Sequence, residues 1–332
     1  MESNGGAAMF SLLGRPRWLP AAFMLVLVAP PGRGLATQGA SSQSGGTPYG
    51  LTGVACASAR TCVAVGWQGA ILRSTDGGNT WRSQSGGTSI VLYGVACPTS
   101  STCLAVGGDA ILRSEDGGRT WRSPTSPSLY FLYGLACPGP GTCVAAGWGG
   151  TVRRSTDGGE TWSDQSSGTV NDLLGLACWA PGTCLAVGWG RTIVRSTDGG
   201  RTWRSQPSGT TNDLYGVACP SPGTCLAVGD RGTIRRSTNG GRTWRGERSG
   251  TTNLLTGVAC RAPSTCLAVG WAGTILRSTD GGKTWRRQSS GTANDLYGVG
   301  CAGPGTCLAV GANGTIRRST DGGSTWRSPA SQ

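Results

Sequence analysis

The sequence predicts an all-β fold: a seven-bladed β-propeller of four-stranded antiparallel blades, with one repeat of about 41 residues per blade. Three observations predict it. A box of the form Ser-x-Asp-Gly-Gly-x-Thr-Trp occurs seven times along the chain, and each box follows a pair of cysteines separated by five residues. Glycine contributes 59 of the 332 residues and charged residues only 14%, a composition that suits many tight turns better than helices.

The first 36 residues have the features of a signal peptide. Arg15 and Arg17 precede an apolar run of about 13 residues, 18–30, and the small residues at 34–36 allow cleavage near Ala36 or Ala40. The run is shorter than the roughly 20 residues that span a membrane. We therefore expect an exported protein, secreted or in the cell envelope, with no membrane span after the leader is removed. An uncleaved anchor and a start at the second methionine are the alternatives.

All 14 cysteines fall into pairs, so none is left over. Even pairing in an exported chain indicates disulfides, and cysteines facing each other across a hairpin meet the distance requirement. A zinc site needs closer pairs, usually with histidine, and the sequence has no histidine. We therefore expect no metal and no cofactor. The predicted disulfides are Cys56–Cys62, Cys97–Cys103, Cys137–Cys143, Cys178–Cys184, Cys219–Cys225, Cys260–Cys266 and Cys301–Cys307.

Each repeat divides into four short runs that are rich in β-branched, leucine or aromatic residues and bounded by turn-forming residues. In the fifth repeat these runs are 214–219, 225–229, 233–237 and 243–248. A closed ring of such sheets removes the exposed edges of a lone sheet. The first run contains an unvarying glycine, which suits a strand at the axis where blades converge. An open β-solenoid is the alternative, although its coils are usually shorter and pair in parallel.

The repeats also divide the chain. Residues 1–36 are the signal peptide, 37–48 an N-terminal segment, 49–328 the propeller and 329–332 a tail. Residues 42–47 keep the register of the segments between blades, since Gln43 precedes Cys56 by 13 residues, the same offset as for Gln84 in the next repeat. We expect residues 41–48 to pack against the last blade and help to close the ring.

The box lies between the third and fourth predicted strands of each blade. Its Asp and Ser side chains can accept hydrogen bonds from turn amides, and its two glycines supply the positive φ angles that a tight turn needs. The tryptophan then packs between neighbouring blades. We interpret the boxes as structural, including the fifth, where Asn replaces Asp. The Asp-box positions are Asp76, Asp116, Asp157, Asp198, Asn239, Asp280 and Asp321.

This box resembles the Asp-box, or BNR, repeat of sialidases, sortilin-type receptors and some plant-cell-wall glucanases. The whole repeat resembles the photosystem II stability/assembly factor type of seven-bladed propeller, over about residues 49–328. The resemblance implies the propeller fold and, by analogy, a scaffold for a protein or peptide partner. The box itself occurs in proteins with unrelated activities. The regular cysteine pairs depart from the assembly-factor pattern.

Successive turns of an antiparallel blade lie at alternate ends of its strands, which assigns the loops to two faces. The cysteine turns and the boxes share one face, here called the box face. The turns between the second and third strands share the other, the loop face, with the linkers between blades. Repeat symmetry breaks on the loop face, so we expect partner contacts there. The candidates are Trp67, Trp148, Trp189 and Trp271 in the turns, Tyr130, Phe131, Asp172, Asp213 and Asp295 in the linkers, and Arg191 and Arg231. Alternatively, each tryptophan covers its own turn and the aromatic residues fill gaps between blades.

The net charge of +13 falls to +11 without residues 1–36, from 26 basic and 15 acidic residues. Such a charge fits an acidic partner, an anionic surface or a solvated rim. One arginine ends the third strand of every repeat, which indicates a structural role. Arg153, Arg235 and Arg317 are less regular, and the sequence favours them, with the loop-face arginines, as contacts for an acidic partner.

The sequence favours a non-catalytic protein. Without histidine, histidine-based triads are excluded, and a glycosidase needs two carboxylates across one pocket. Glu115, Glu160 and Glu247 lie in or just beyond the boxes, mostly towards the box face. We therefore predict a monomeric scaffold that binds a protein or peptide through its loop face and binds no nucleic acid. A carbohydrate-binding or sialidase-like propeller without a complete catalytic set is the alternative.

Overall fold

The computed structural model describes residues 46–124, 130–179, 182–303 and 305–330, and it confirms the seven-bladed propeller. Seven antiparallel sheets follow one another along the chain, each with its strands in sequence order. Five of these sheets have four strands. In blades two and seven a single bridge, Arg113 with Arg122 and Arg318 with Arg327, takes the place of the fourth strand.

The strands lie close to the predicted runs. Blade one comprises β1 Leu51–Cys56, β2 Cys62–Gly66, β3 Ile71–Ser74 and β4 Arg82–Gln84; blade two, β5 Leu92–Ala96, β6 Cys103–Gly107 and β7 Ile111–Ser114; blade three, β8 Leu132–Ala136, β9 Cys143–Gly147, β10 Val152–Ser155 and β11 Ser163–Gln165; blade four, β12 Leu173–Trp179, β13 Thr183–Gly188, β14 Ile193–Ser196 and β15 Arg204–Ser205. Blade five comprises β16 Leu214–Ala218, β17 Cys225–Gly229, β18 Ile234–Ser237 and β19 Arg245–Glu247; blade six, β20 Leu255–Cys260, β21 Cys266–Gly270, β22 Thr274–Ser278 and β23 Arg286–Gln288; blade seven, β24 Leu296–Ala302, β25 Thr306–Gly311 and β26 Ile316–Ser319. Four single 3-10 turns, Trp67–Gly69, Trp148–Gly150, Asp230–Gly232 and Ala312–Gly314, follow second strands.

The first strand of each blade lies innermost, as predicted. It contacts the first strands of both neighbouring blades all the way round the ring, including β1 with β24. The inner strands approach too closely for a side chain at the repeated glycine. A Cβ on Gly175 would lie 2.7 Å from the carbonyl oxygen of Tyr215, and one on Gly298 would lie 2.8 Å from that of Thr52. This close approach explains the unvarying glycine.

Apolar clusters fill the joints between adjacent blades. In the cluster between blades seven and one, Leu72 and Trp81 pack with Leu308 and Val310. The second strand of each blade is buried along nearly its whole length, because neighbouring blades cover both of its faces and alternate side chains point to opposite neighbours. Each blade therefore depends on its neighbours for burial of its apolar surface.

The box is a hydrogen-bonded turn, as predicted. In blade one, the hydroxyl oxygen of Ser74 accepts from the amide of Gly78 at 2.8 Å. Asp76 Oδ1 accepts from the amide of Thr80 at 2.9 Å, and Oδ2 accepts from the Thr80 hydroxyl at 2.6 Å. The two box glycines have φ angles of 70° and 81°. The indole of Trp81 donates to the carbonyl oxygen of Gly78 at 3.1 Å and closes the joint with blade seven.

The fifth box keeps this turn although Asn239 replaces aspartate. Asn239 Oδ1 accepts from the amides of Arg242 and Thr243 at 3.2 and 3.0 Å. Its Nδ2 group donates to the Thr243 hydroxyl at 2.8 Å, so the side-chain bond persists with the donor and acceptor exchanged. Trp244 remains buried. The amide therefore folds the turn as the carboxylate does.

A ring of arginine side chains joins the blades on the box face. The Nε of each arginine that ends a third strand donates to a carbonyl oxygen of the next box, at 2.7 to 3.0 Å. The bonds are Arg73 to Gly117, Arg113 to Gly158, Arg154 to Gly199, Arg195 to Gly240, Arg236 to Gly281, Arg277 to Gly322 and Arg318 to Gly77. The last bond closes the ring. The seven-fold repetition of these arginines is therefore structural.

All seven predicted disulfides are present. Their Cα–Cα distances are 3.9 to 4.1 Å, and each links the end of a first strand to the start of the second. Disulfides at this density are typical of an oxidising, extracytoplasmic environment. Within the described ranges, no helix is long and apolar enough to cross a membrane.

The predicted signal peptide and most of the 37–48 segment lie outside the described residues. Thr47 is described and buried, and its carbonyl oxygen lies 2.0 Å from where a Cβ on Gly314 of blade seven would be. Linker threonines make the same approach in other blades. Closure of the ring by residues 37–48 stays a prediction, which the contact of Thr47 with blade seven supports.

The pKa values of the box carboxyl groups indicate that the stability of the fold decreases in acid. Burial raises the pKa of each carboxyl group, but hydrogen bonds from the box Thr, Ser and backbone amides outweigh it and lower the pKa to about 2 in Asp116, Asp157, Asp198, Asp280 and Asp321. Because the pKa in the folded state lies below the usual 3.8, the ionised carboxylates stabilise the folded state. This stabilisation is complete above about pH 4 and is lost as the pH falls through about 2.

Thermal melts between pH 7 and pH 2 should therefore show a steep decrease in Tm below about pH 4. The Asp280→Asn variant should fold, as the box with Asn239 does, and should lose less stability on acidification than the parent protein. Equal pH dependence in the two proteins would contradict the assignment.

Candidate functional site

The loop face carries exposed residues at the tips of its turns. Two of these residues have left-handed backbone: Arg191, the third residue of its turn, with φ of 59°, and Arg231, the second residue of its turn, with φ of 52°. Both arginines are exposed. The structure therefore places these two candidates at the surface, on the turns of blades four and five.

The three candidate aspartates brace the joints between blades. Asp172 Oδ1 accepts from the amide of Gly149, Asp213 Oδ1 from Gly190, and Asp295 Oδ1 from Ala272, each at 2.8 Å. In every case a carboxylate at the start of one blade holds the turn of the preceding blade. These bonds explain the repeated aspartate by structure, independently of any partner.

Asp172 differs from the other two in its burial. It is only 5% exposed, and its Oδ2 atom has no hydrogen-bond partner within the described residues. Burial raises the pKa of this carboxyl group, and the bond from Gly149 offsets the effect in part. The carboxyl group lies beneath the turn that carries Trp148.

The four turn tryptophans differ in exposure. Trp148 is 55% exposed, the largest exposed fraction among the described aromatic residues. Trp67 is half-buried because it packs over Gly50 and stacks on Tyr297, with ring centroids 6.3 Å apart. Trp189 and Trp271 are also half-buried. The tryptophans therefore do not form one equivalent set, and only Trp148 presents most of its surface to solvent.

Four tyrosines near the axis were not among the predicted site residues. Tyr93, Tyr133, Tyr215 and Tyr297 each occupy a β-bulge at the loop-face end of a first strand. Tyr93 and Tyr133 meet edge to face at 5.2 Å. In every first strand, one residue separates the buried leucine from the repeated glycine, and the strand pairing skips this residue. Its recurrence in all seven repeats was the available sequence signal for a β-bulge, which turns the side chain out of the joint.

Acidic groups gather around Tyr215 at blades four and five. Burial raises the pKa of Asp230, the nearby charge of Asp213 raises it further, and Arg231 and the Tyr215 hydroxyl lower it in part. Burial and these two aspartates also raise the pKa of Tyr215. This side of the loop face is therefore polar.

The opposite side of the loop face is apolar, around blades two and three. Ile90, Tyr130, Phe131 and Trp148 are between 38% and 55% exposed and are here called the apolar sector. Blade two has Gly108 where four other blades have a turn tryptophan. Phe131 and Ile90 cover this glycine, at 3.0 and 3.3 Å from the position of a Cβ. The backbone of Trp148 is joined to that of Phe131 by a hydrogen bond of 2.9 Å.

Three other predicted contacts for an acidic partner are engaged within the protein. Arg153 is buried and pairs with Asp164 at 2.9 Å. Arg235 donates to the carbonyl oxygen of Trp244 at 2.9 Å, and Arg317 donates to that of Ser290 at 2.5 Å. These arginines bond the outer strands and linkers of the propeller itself. The expectation that they contact an acidic partner is therefore corrected. In the described part of the chain, no group of three potential metal ligands occurs.

The repeated box turns, closed ring and asymmetric loop face define a seven-bladed β-propeller of Asp-box repeats. The sequence matches the BNR/Asp-box repeat at residues 153–164 and 276–287. No curated protein sequence was found to match the chain.

Several solved structures share the fold. YCF48 from Cyanidioschyzon merolae is 19% identical, with a TM-score of 0.70 over 83% of this chain and 97% of that one. YCF48 bound to D1 peptide is 20% identical, with a TM-score of 0.71 over 83% and 94%. The GH74 xyloglucanase from Xanthomonas campestris is 16% identical, with a TM-score of 0.67 over 86% of this chain and 55% of that one. The chain thus resembles YCF48 in fold, and at these identities the likeness concerns the fold alone.

Proposed function

We propose that the protein is an exported, non-catalytic scaffold whose loop face binds a protein or peptide partner. The observation that carries the proposal is the apolar sector. Four of the six exposed large hydrophobic side chains in the described ranges lie there, next to one another on two blades. Contiguous exposed apolar surface on a soluble protein marks an interaction site.

The chemistry of the sector suits a peptide. Phe131 and Trp148 supply large aromatic surfaces that lose little conformational entropy on binding, and such residues dominate binding energy at interfaces. Arg191, Arg231 and the acidic groups around Tyr215 lie on the same face and would add polar specificity at its rim. The YCF48 structure with D1 peptide supports the proposal, because it contains a peptide bound to a propeller of the same architecture.

A second candidate is carbohydrate binding. The exposed indole of Trp148 could stack against a sugar ring, and a GH74 xyloglucanase shares the fold. Hydrolysis is not part of this candidate. Glu115 and Glu160 pair with arginines on the box face, and the three linker aspartates hold turns.

The test is selection of peptides from a displayed random library on the mature protein. Selected peptides should bind Trp148→Ala and Phe131→Ser variants at least about tenfold more weakly, the effect of losing a central aromatic contact. The matched control is Trp67→Ala, which removes a tryptophan from the same kind of turn, but one already covered by Tyr297.

Three outcomes are decisive. Peptide binding that depends on Trp148 and Phe131 but not on Trp67 supports the proposal. Binding that is insensitive to all three substitutions contradicts it. Binding of neutral oligosaccharides that is lost in Trp148→Ala, without any selected peptide, favours the second candidate instead.

A further inference from the structure

On the box face, opposite to the loop face, an arginine of one blade bonds the box of the next at every joint, and the surface beside this bond is here called a groove. Three positions converge in it: the arginine that ends the third strand, the residue after the box tryptophan, and the variable residue before the threonine of the next box. Between blades one and two these are Arg73, Arg82 and Arg119, which line a cavity of about 480 Å³ together with Thr75 and Thr80.

The groove between blades two and three shows what such arginines bind. Arg122 forms a two-pronged ion pair with Glu160, with Nη1 to Oε1 at 2.9 Å and Nη2 to Oε2 at 2.7 Å. Arg113 lies 3.6 Å from the same carboxylate and also bonds Glu115. Here the protein supplies its own carboxylate ligands to the two repeated arginines.

Two other grooves have a third arginine in place of Glu160 and lack both carboxylates. At the position of Glu160 they have Arg119 or Arg242, and at the position of Glu115 they have Thr75 or Thr197. No carboxylate lies within 4.0 Å of a charged nitrogen of the six arginines in these grooves, among the residues that the structure describes. The six are Arg73, Arg82 and Arg119 in the first groove and Arg195, Arg204 and Arg242 in the second.

Like charges lie close together in the second of these grooves. Burial lowers the pKa of Arg195, and the charge of Arg242 lowers it further, which places the two cations close to each other. In the first groove, the box carboxylate Asp76 bonds the amide and hydroxyl of Thr80 and forms no ion pair with the three arginines. An external anion would therefore relieve the repulsion between Arg195 and Arg242 and would pair with arginines that lack a carboxylate partner in the first groove.

We propose that the grooves at joints one–two and four–five bind carboxylate side chains of an acidic polypeptide. The planar guanidinium fork matches a carboxylate in two-pronged geometry, as Arg122 and Glu160 show within this chain. The natural occupant of the equivalent groove is a glutamate side chain, so a glutamate of a partner reproduces its length and geometry.

The grooves act together. Each exposed ion pair contributes little alone, and salt weakens it. A polypeptide with several carboxylates occupies both grooves of one ring at once, and the linked contacts raise its affinity well above that of a single carboxylate. The site lies on the opposite face from the apolar sector, so its test is independent of the function proposed above.

The experiment measures binding of a fluorescent poly-L-glutamate peptide to the mature protein at low salt. The Arg82→Glu/Arg119→Glu and Arg204→Glu/Arg242→Glu variants should each bind at least about tenfold more weakly, because each removes one groove of the linked pair. The charge-matched control, Arg60→Glu/Arg248→Glu, changes exposed arginines outside the grooves and should stay within about twofold of the parent.

A gain of binding provides the second measurement. Glu115→Gln/Glu160→Gln frees Arg113 and Arg122 from their carboxylates and should strengthen binding of the peptide by adding two unpaired arginines on the same face. Equal losses in the groove variants and the control would overturn the proposal in favour of diffuse charge. Tighter, groove-dependent binding of a sulfated polysaccharide or of DNA, with no binding of polyglutamate, would overturn it in favour of another class of ligand.

Discussion

Reduction of all seven disulfides is expected to cause a large loss of stability. Each disulfide closes a short hairpin loop between cysteines six positions apart, and such a loop contributes about 2 kcal/mol in the chain-entropy description. The contributions do not simply add, but blades bury their apolar surface only against one another, so loosening every hairpin weakens every joint. The loss should exceed that from any single pair by several kcal/mol.

Urea unfolding with and without a reductant measures this effect. The midpoint should fall strongly on reduction, whereas the Cys219→Ala/Cys225→Ala variant, kept oxidised, should lose about 2 kcal/mol. The single-pair variant separates the loss of one disulfide from any other effect of the reductant. Complete reduction is verified by a mass increase of two hydrogens per cysteine pair. An unchanged urea midpoint after complete reduction would show that the disulfides do not stabilise the hairpins.

The Gly229→Ala substitution is expected to destabilise the protein by about 3 kcal/mol or more, at the upper end of the cost of overpacking. Gly229 ends β17, and a Cβ there would lie 2.0 Å from the carbonyl oxygen of Asp213. The obstacle is backbone, which cannot move aside as a flexible side chain can. Its φ is extended, so the cost comes from the contact and not from backbone strain.

The matched control is Gly139→Ala, since a Cβ at Gly139 meets nothing within 4 Å. Gly139→Ala should leave the unfolding free energy within about 0.5 kcal/mol of the parent, as surface substitutions usually do. Comparable stability of the two variants would mean that the first strand of blade five yields to the added methyl group. Both variants can be measured by the same urea titration.

The sequence was sufficient to predict the propeller architecture, because strand and turn patterns that are weak in one repeat recur in all seven. The four strands of the fifth blade end within a few residues of the predicted runs, and all seven disulfides pair as predicted. The box turn could be predicted to the level of its hydrogen bonds, because its residues are adjacent in the chain. Even Asn239 behaves as its chemistry suggested.

The details of the loop face were less predictable, because they depend on contacts between neighbouring repeats. Asp213 looks like a free carboxylate in sequence, yet its partner is an amide 23 residues earlier in the preceding blade. Arg317 looks like a surface charge, yet its Nε reaches a carbonyl oxygen 27 residues away. Sequence places such residues on a face; only the docking of one blade on the next determines whether their polar atoms are already satisfied.

The tyrosines near the axis were missed for a related reason. A regular alternation of side chains would put the residue after the buried leucine in a joint between blades. The bulge in each first strand shifts that alternation and turns Tyr215 and its equivalents towards the axis. A bulge of one residue is hard to recognise in a single strand, although its repetition in seven strands would have allowed it.

The glycine of the first strand also allows the ring to close at its centre. The bond from Arg73 to the next box, like its six equivalents, joins neighbouring blades on the box face. At the inner strands no such bond could compensate for added bulk, because a Cβ on the repeated glycine would meet the inner strand of the next blade. A side chain at one of these positions would push two blades apart in a ring that leaves them no room to separate. The closed ring therefore depends on an absent side chain, copied once in every repeat.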